Sequence, residues 1–412
     1  MIRNELVVGL LDFTHYIFEL LGNHADEAVL TTVEVGGVQT TYLDPIPLLR
    51  NRIASGEIFQ VEEIDSFLDE LLHEEWSDPK SNQTGPRGEK ERKVELARVL
   101  VEFFEHFFRS RGTWEIDHVE LVGRFDQELE FWERRAYPVH GVVVLAGFDG
   151  EGGVQKLGSG LEVRPLPPLA RERYMQGAPQ IREIAAGERL YILDYVVAQE
   201  EWSDEEERSG LPLRVEAALV GLKLLKSGDF SVLFVRQTEN GKRGPEVRFW
   251  LSAGHSSLGV QEGKYWESFD LLEAQCEPLR QILAGVEKGL KEKSSLPGAL
   301  RRFAESYHRP TIEGRFLALI DTMALLASGK WEPRKRLVKW VEKSLGQGGT
   351  TKAEIEIALE VGRLIEEEGE SYEGALKKAG GPSEEDRRFL RRIEEIARTL
   401  LVLAIEGSAA SS

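Results

Sequence analysis

From about residue 265 onward the sequence keeps one helical pattern and shows no strand signal. "FDLLEAQCEPLRQILAGVEKGL", "SSLPGALRRFAESYHRP", "EGRFLALIDTMALLAS", "EPRKRLVKWVEKSLG", "TKAEIEIALEVGRLIEEEG" and "EEDRRFLRRIEEIARTLLVLAIE" all read as helices. The breaks between them hold Gly329, Gly346, Gly348-Gly349 and Gly380-Gly381-Pro382. Short connections of this kind join antiparallel neighbours, so the pattern predicts a helical bundle over 263–407, with the small, polar "SAASS" as a flexible tail at 408–412.

Upstream the periods are mixed. Residues 1–22 read as a helix. "AVLTTVEVGGVQTTYL" alternates around Gly36-Gly37 as a hairpin does, and "VEEIDSFLDELLHEEW" is an acidic amphipathic helix. "SDPKSNQTGPRGEKER" reads as a linker, and "VELARVLVEFFEHFFRSR" is apolar on most faces, so it is buried or docks on a partner. "WEIDHVELVG", "HGVVVLAGF" and "LYILDYVVA" read as strands. "LPLRVEAALVGLKLLKSG" reads as a helix ended by Gly228, and two further strands flank Asn240-Gly241. The expected fold is α+β: a helix and hairpin region at 1–110, a mixed α/β region at 111–262, then the bundle.

Composition excludes several classes. The net charge of −19 repels nucleic-acid backbones, so contact with RNA needs a local basic patch. Cys276 is the single cysteine; it allows no internal disulfide, fits a cytoplasmic setting and reads as a packed or surface thiol. No apolar run spans a bilayer, and the N-terminal stretch, with His15 and Glu19 inside it, lacks a signal-peptide core, so no membrane association is expected. Charged residues at 30% resemble a thermophile's usage.

Familiar catalytic signatures are missing. The eight histidines form no H-x-x-x-H or H-E-x-x-H pair, so no metal is expected. "GFDGEGGVQKLGSG" lacks the Lys-Ser or Lys-Thr of a P-loop and reads as a strand-joining loop; no cofactor is expected. His106, among phenylalanines, reads as a packed helix residue. "WEPRKRLVKW" gathers Arg334, Lys335, Arg336 and Lys339 with Trp331 and Trp340. Such interleaving suits single-stranded RNA and equally an ordinary amphipathic helix.

Three segments in order resemble ApeA-like HEPN proteins: "AALVGLKLLKSGDFSVLFVRQT", "GRFLALIDTMALLA" with its Arg-Phe-Leu opening, and "KRLVKWVEKSLG". The family's next helix carries an R-x(4–6)-H motif. Here "RLIEEEG" stands in its place, so Arg363 matches the arginine and Gly369 the following glycine. Glu368 occupies the histidine position, Leu364 replaces a polar residue, and Ala324 stands where the family usually has glutamate. In active members the arginine and histidine of two subunits meet. The histidine exchanges a proton and the arginine steadies phosphate charge. A glutamate there is anionic at pH 7 and repels the scissile phosphate.

The resemblance therefore implies a catalytically degenerate HEPN-like protein. It would be an RNA-binding or protein-interaction accessory in prokaryotic antiviral defence or stress response, and a homodimer. One alternative is a metal-independent ribonuclease using Arg363 with a second base, for which His308 is the candidate. Another is an interaction protein without nucleic acid. The residues alone also allow Arg363 to pair with Glu366 or Glu367 on an exposed face, and the five-residue step to Glu368 predicts side chains that diverge.

Overall fold

The computed structural model describes residues 4–23, 29–35, 38–73, 88–111, 117–133, 138–151, 153–158, 160–167, 170–171, 189–198, 211–228, 230–237, 269–309, 311–328, 334–345, 349–382 and 386–410. In chain order its elements begin with α1 (Asn4–Asn23), β1 (Val29–Val35), β2 (Val38–Asp44), α2 (Ile46–Ser55), α3 (Glu62–His73), α4 (Glu89–Arg111) and α5 (His118–Glu133). Then come β3 (Pro138–Ala146), β4 (Phe148–Gly150), β5 (Gln155–Gly158), β6 (Leu161–Pro165), β7 (Tyr191–Ala198), α6 (Leu213–Leu225), β8 (Ser231–Gln237) and β9 (Phe269–Leu271). The remainder is helical: α7 (Cys276–Leu290), α8 (Leu296–Ser306), α9 (Ile312–Ser328), α10 (Arg334–Leu345), α11 (Gly349–Glu368), α12 (Tyr372–Lys378) and α13 (Asp386–Ala410). The fold class is α+β. No described helix is long and apolar enough to cross a membrane.

Two compact units divide the chain. The first is Met1–Val144 with Ser159–Ser203 and Val235–Phe249; the second is Leu145–Gly158 with Asp204–Phe234 and Trp250–Ser412. Each is built from separated segments, so the boundaries expected at 110 and 262 are not the ones that part these units.

In the first unit, α4 carries the core. Leu96, Leu100, Phe103, Phe104, Phe107 and Phe108 are all buried among residues of α1, α2, α3 and α5. Phe104 stacks on Phe13 of α1 at 5.2 Å, and Phe103 meets Phe125 of α5 at 5.5 Å. Each such ring contributes roughly 1.5–3 kcal/mol by burial. A single chain therefore covers the face that the sequence left open to a partner. The strands β6, β7 and β3 lie side by side in that order, the middle three of a five-stranded sheet. All nine residues of β3 are buried, which explains why apolar residues follow one another from Val142 to Ala146 without alternation. Gly141 in β3 is a packing necessity, since a Cβ there would stand 2.1 Å from the Tyr195 ring of β7.

In the second unit, α7 to α13 and α6 share one apolar core that includes Leu300, Phe303, Phe316, Met323, Val341, Ile355, Leu390 and Leu401. The closest neighbours are α8 with α9, α6 with α7, and α9 with α13. Beside it, β4 and β9 pair in parallel, with Phe148 opposite Phe269. Their rings cluster with Phe230 at 5.3–5.9 Å.

Several expectations are corrected. "WEIDHVELVG" is not a strand: α5 begins at His118, because Asp117 Oδ1 accepts from the amides of Val119 and Glu120 as an N-cap does. The helix α4 begins at Glu89, inside the stretch read as linker, where Glu, Lys and Arg are good helix formers. The helix α6 stops at Leu225, where Lys226 turns extended, before Gly228 is reached. The Gly-rich loop contains β4 and β5, and a strand does follow residue 265. The tail at 408–410 continues α13. The strand expected after Asn240-Gly241 lies outside the described residues. The hairpin β1–β2 forms as expected, Val35 facing Val38.

Candidate functional site

Arg363 lies on the last turns of α11 and is enclosed by carboxylates. Its Nη2 donates to Glu360 Oε1 at 2.6 Å and its Nε to the same oxygen at 3.0 Å. Its Nη1 donates to Glu368 Oε1 at 2.9 Å and Glu367 Oε2 at 3.3 Å. The hydrogen bonds to Glu360, Glu368 and Glu367 raise its hold on the proton further. The expected Glu367 pair forms, whereas the divergence expected of Glu368 does not occur. Residues five apart differ by about 140° around the helix, a separation that an arginine's long arm bridges. Leu364 and Ala324 are buried, so two departures from the motif are core positions here. Gly369 has φ +67°, the left-handed residue that follows a helix, with Glu370 N donating to Leu364 O at 3.3 Å. Its presence is accounted for by helix termination.

The basic stretch is a helix face. On α10, Arg336 and Lys339 are exposed while Leu337, Val338 and Val341 are buried. Trp340 packs against the apolar core of the second unit. Trp331 lies outside the described residues, and of Arg334 and Lys335 only the helical backbone is described.

Sequence reasoning missed a charged cluster inside the second unit. Glu394 of α13 is 1% exposed and accepts from Tyr307 OH at 2.5 Å, from Arg315 Nη2 at 3.2 Å, and from Arg398 Nη2. Arg315, the arginine of the Arg-Phe-Leu segment, also lies 4.5 Å from the centre of the Tyr307 ring. The buried Lys223 ammonium of α6 lies 4.4 Å from the Tyr307 ring centre as well, and 3.4 Å from His308 Nε2. His308, the base considered for the enzyme reading, thus has Lys223 as a neighbour. Burial first, then Glu394, push the Tyr307 hydroxyl well above the usual phenol range, so it stays a donor. The signal was a carboxylate inside the apolar stripe Leu390, Ile393, Ala397, Leu401.

A second cluster was missed in the first unit. Asp194 of β7 is fully buried and accepts from His106 Nε2 at 2.7 Å, from Arg124 Nη2 at 3.4 Å and from Arg164 Nη2. Glu162 pairs with Arg124 as well. The His140 ring lies 4.7 Å from that of His106, and its Nε2 meets Glu128 Oε1 at 3.0 Å. Despite its carboxylate neighbour, His106 titrates at about 4: burial disfavours a further cation where two guanidiniums already serve Asp194. His106 is thus neutral at pH 7. Its reading as a packed helix residue omitted this bond. Burial raises Glu102 to about 7. Among the described residues, no three metal-ligating side chains converge. Cys276 is buried, and burial raises its thiol.

These two titrations oppose each other. Glu102 binds its proton more tightly folded than unfolded, so its contribution is full below about pH 4.5 and is lost as pH rises through 7. His106 binds its proton less tightly folded, so its contribution is full above about pH 6.5 and is lost as pH falls through 4. Each is worth on the order of 3 kcal/mol at 1.36 kcal/mol per unit. The variant Glu102→Gln removes the first alone. Its urea midpoint should fall more steeply than the parent's between pH 6.5 and 4; parallel profiles would show that Glu102 titrates normally.

Compared with known proteins, the chain matches no family model, no curated protein and no solved structure.

Proposed function

We propose that the C-terminal helices form a HEPN-like module without ribonuclease chemistry at Arg363, which acts by binding a protein partner. The observation that carries this reading is the enclosure of Arg363 by Glu360, Glu367 and Glu368. Two cations, Arg363 and Lys378, sit among four carboxylates, Glu360, Glu367, Glu368 and Glu370, and this net negative surface repels an approaching phosphate. The motif position holds Glu368, so the imidazole that exchanges the proton in active members has no counterpart there. Two observations favour a protein partner over RNA. The side chain of Trp340 is committed to the apolar core, and the net charge is −19. The defence or stress setting and the homodimer rest on the resemblance alone; light scattering over micromolar concentrations tests the dimer.

The chemistry is tested with purified protein and unstructured RNA at neutral pH with EDTA. The expected result is no cleavage above RNA alone, for the parent and for Arg363→Ala alike. Robust cleavage lost in Arg363→Ala restores the ribonuclease alternative. A filter-binding salt series separates the partners. RNA affinity that falls steeply with salt and weakens in a triple Ala variant of Arg334, Lys335 and Arg336 would assign an RNA-binding role.

A further inference from the structure

The second unit contains a cleft of ≈ 260 Å³. Its walls are apolar: Leu219 and Val220 of α6, Phe230, Val232 of β8 and Ala304 of α8. Lys223 and His308 also line it, ammonium beside imidazole. A space of this size holds about eight or nine waters at ~30 Å³ each. Apolar walls bind such water poorly, so its displacement by an apolar body is favourable.

We propose that this cleft binds a small organic monocarboxylate, with the acid group at Lys223 and His308 and a compact apolar body against the walls. The electrostatics support an anion. The carboxylates that line the cleft are already neutralised: Glu216 receives Arg301 Nε at 2.8 Å and Nη2 at 3.3 Å, and Glu305 receives Arg302 Nη1 at 3.0 Å and Arg309 Nη2 at 3.3 Å. A lysine ammonium carries three N–H donors and serves several acceptors at once. The aromatic faces beside it, Phe230 at 5.1 Å and Tyr307 at 4.4 Å, hold its position. Behind it, Arg398 Nε donates to the Lys223 carbonyl at 3.1 Å, fixing the helix that carries the amine. The third basic group of the lining, Arg301, already serves Glu216, and the remaining ammonium and imidazole suit one carboxylate better than a phosphate dianion, which needs more donors. The volume lies just below that of pockets for drug-sized ligands, so the ligand has about ten heavy atoms or fewer.

The probes are hexanoate, hexan-1-ol and inorganic phosphate, titrated calorimetrically into the full chain. Hexanoate is expected to bind with a negative heat-capacity change, from burial of its chain. Hexan-1-ol should bind at least about tenfold more weakly, a difference of 1.4 kcal/mol, and phosphate more weakly still. Lys223→Met keeps the stem and loses the charge; it should weaken hexanoate by at least about tenfold and leave hexan-1-ol unchanged. Ala304→Phe fills the cleft and should abolish binding of both, and it carries the test if Lys223→Met does not fold. No heat from hexanoate at millimolar concentration, equal binding of hexanoate and hexan-1-ol, or hexanoate binding untouched by Ala304→Phe overturns the proposal.

Discussion

Glu394→Ala is expected to destabilise the second unit by about 3–5 kcal/mol, the loss typical when one partner of a buried ion pair is removed. The carboxylate is the shared acceptor for Arg315, Arg398 and Tyr307. Without it, the Arg315 guanidinium loses the acceptor that faces it from α13 in an apolar core, and the Tyr307 hydroxyl loses its acceptor. The penalty for the stranded charges exceeds the value of the intact pair, which itself contributes little over a well-packed apolar replacement. Glu394→Gln should be nearly as damaging, because it keeps the shape and removes the charge. Adding Arg315→Met to Glu394→Gln should recover part of the loss, since the stranded cation goes with its partner. Urea unfolding gives the size of the effect, and amide exchange along α13 assigns it to this unit. A loss below about 1 kcal/mol in Glu394→Ala would mean that the two guanidiniums reach solvent or other acceptors at little cost.

The bundle was legible because its helices repeat an apolar stripe that a strand cannot use. The break at Gly380-Gly381-Pro382 falls between α12 and α13, where Gly380 takes the left-handed φ of +72° that helix ends use. The same reasoning failed where a local pattern was set against a longer one. Val119 and Leu121 alternate like a strand, yet Leu121 and Phe125 recur at the helical spacing, and the Asp117 cap decides the outcome. The three residues of β9 are too few to leave a period at all; they form because Phe269 finds Phe148 and Phe230. The charged clusters were illegible for a different reason. Glu394 and Asp194 are two acids among 71, and only the fold shows that guanidiniums from distant segments converge on them. An acid inside an apolar stripe or a buried strand was the available signal. Arg363 drew notice because it matches the arginine of the family motif, whereas the structure gives it three exposed or half-exposed partners and gives the buried ionic roles to Arg315 and Arg164.

Asp194→Asn is expected to destabilise the first unit by about 3–5 kcal/mol at pH 7, with a pH dependence that identifies the cause. Burial alone would raise the Asp194 carboxyl, but Arg164, His106 and Arg124 outweigh it and hold the group well below 3.8. The folded state therefore binds this proton less readily than the unfolded one. The stability the carboxylate supplies is present above about pH 3.8 and is lost as pH falls further toward the folded value. Asparagine has no such titration. The gap between parent and variant should thus be constant from neutral pH to about 5, then narrow as acid protonates the unfolded parent. Glu162 remains to partner Arg124 and sits 3.8 Å from Arg164 Nε, and Glu120 Oε1 lies 3.9 Å from Arg164 Nη1, so the variant keeps carboxylates in the cluster and should still fold. His106 loses a carboxylate acceptor in the variant and becomes harder to protonate, so its own titration moves down and does not imitate the expected narrowing. The measurement is urea unfolding at several pH values from 3 to 7. A gap that stays constant to the lowest pH would mean that the side chain contributes through shape and hydrogen bonding, with its charge already cancelled by the surrounding guanidiniums.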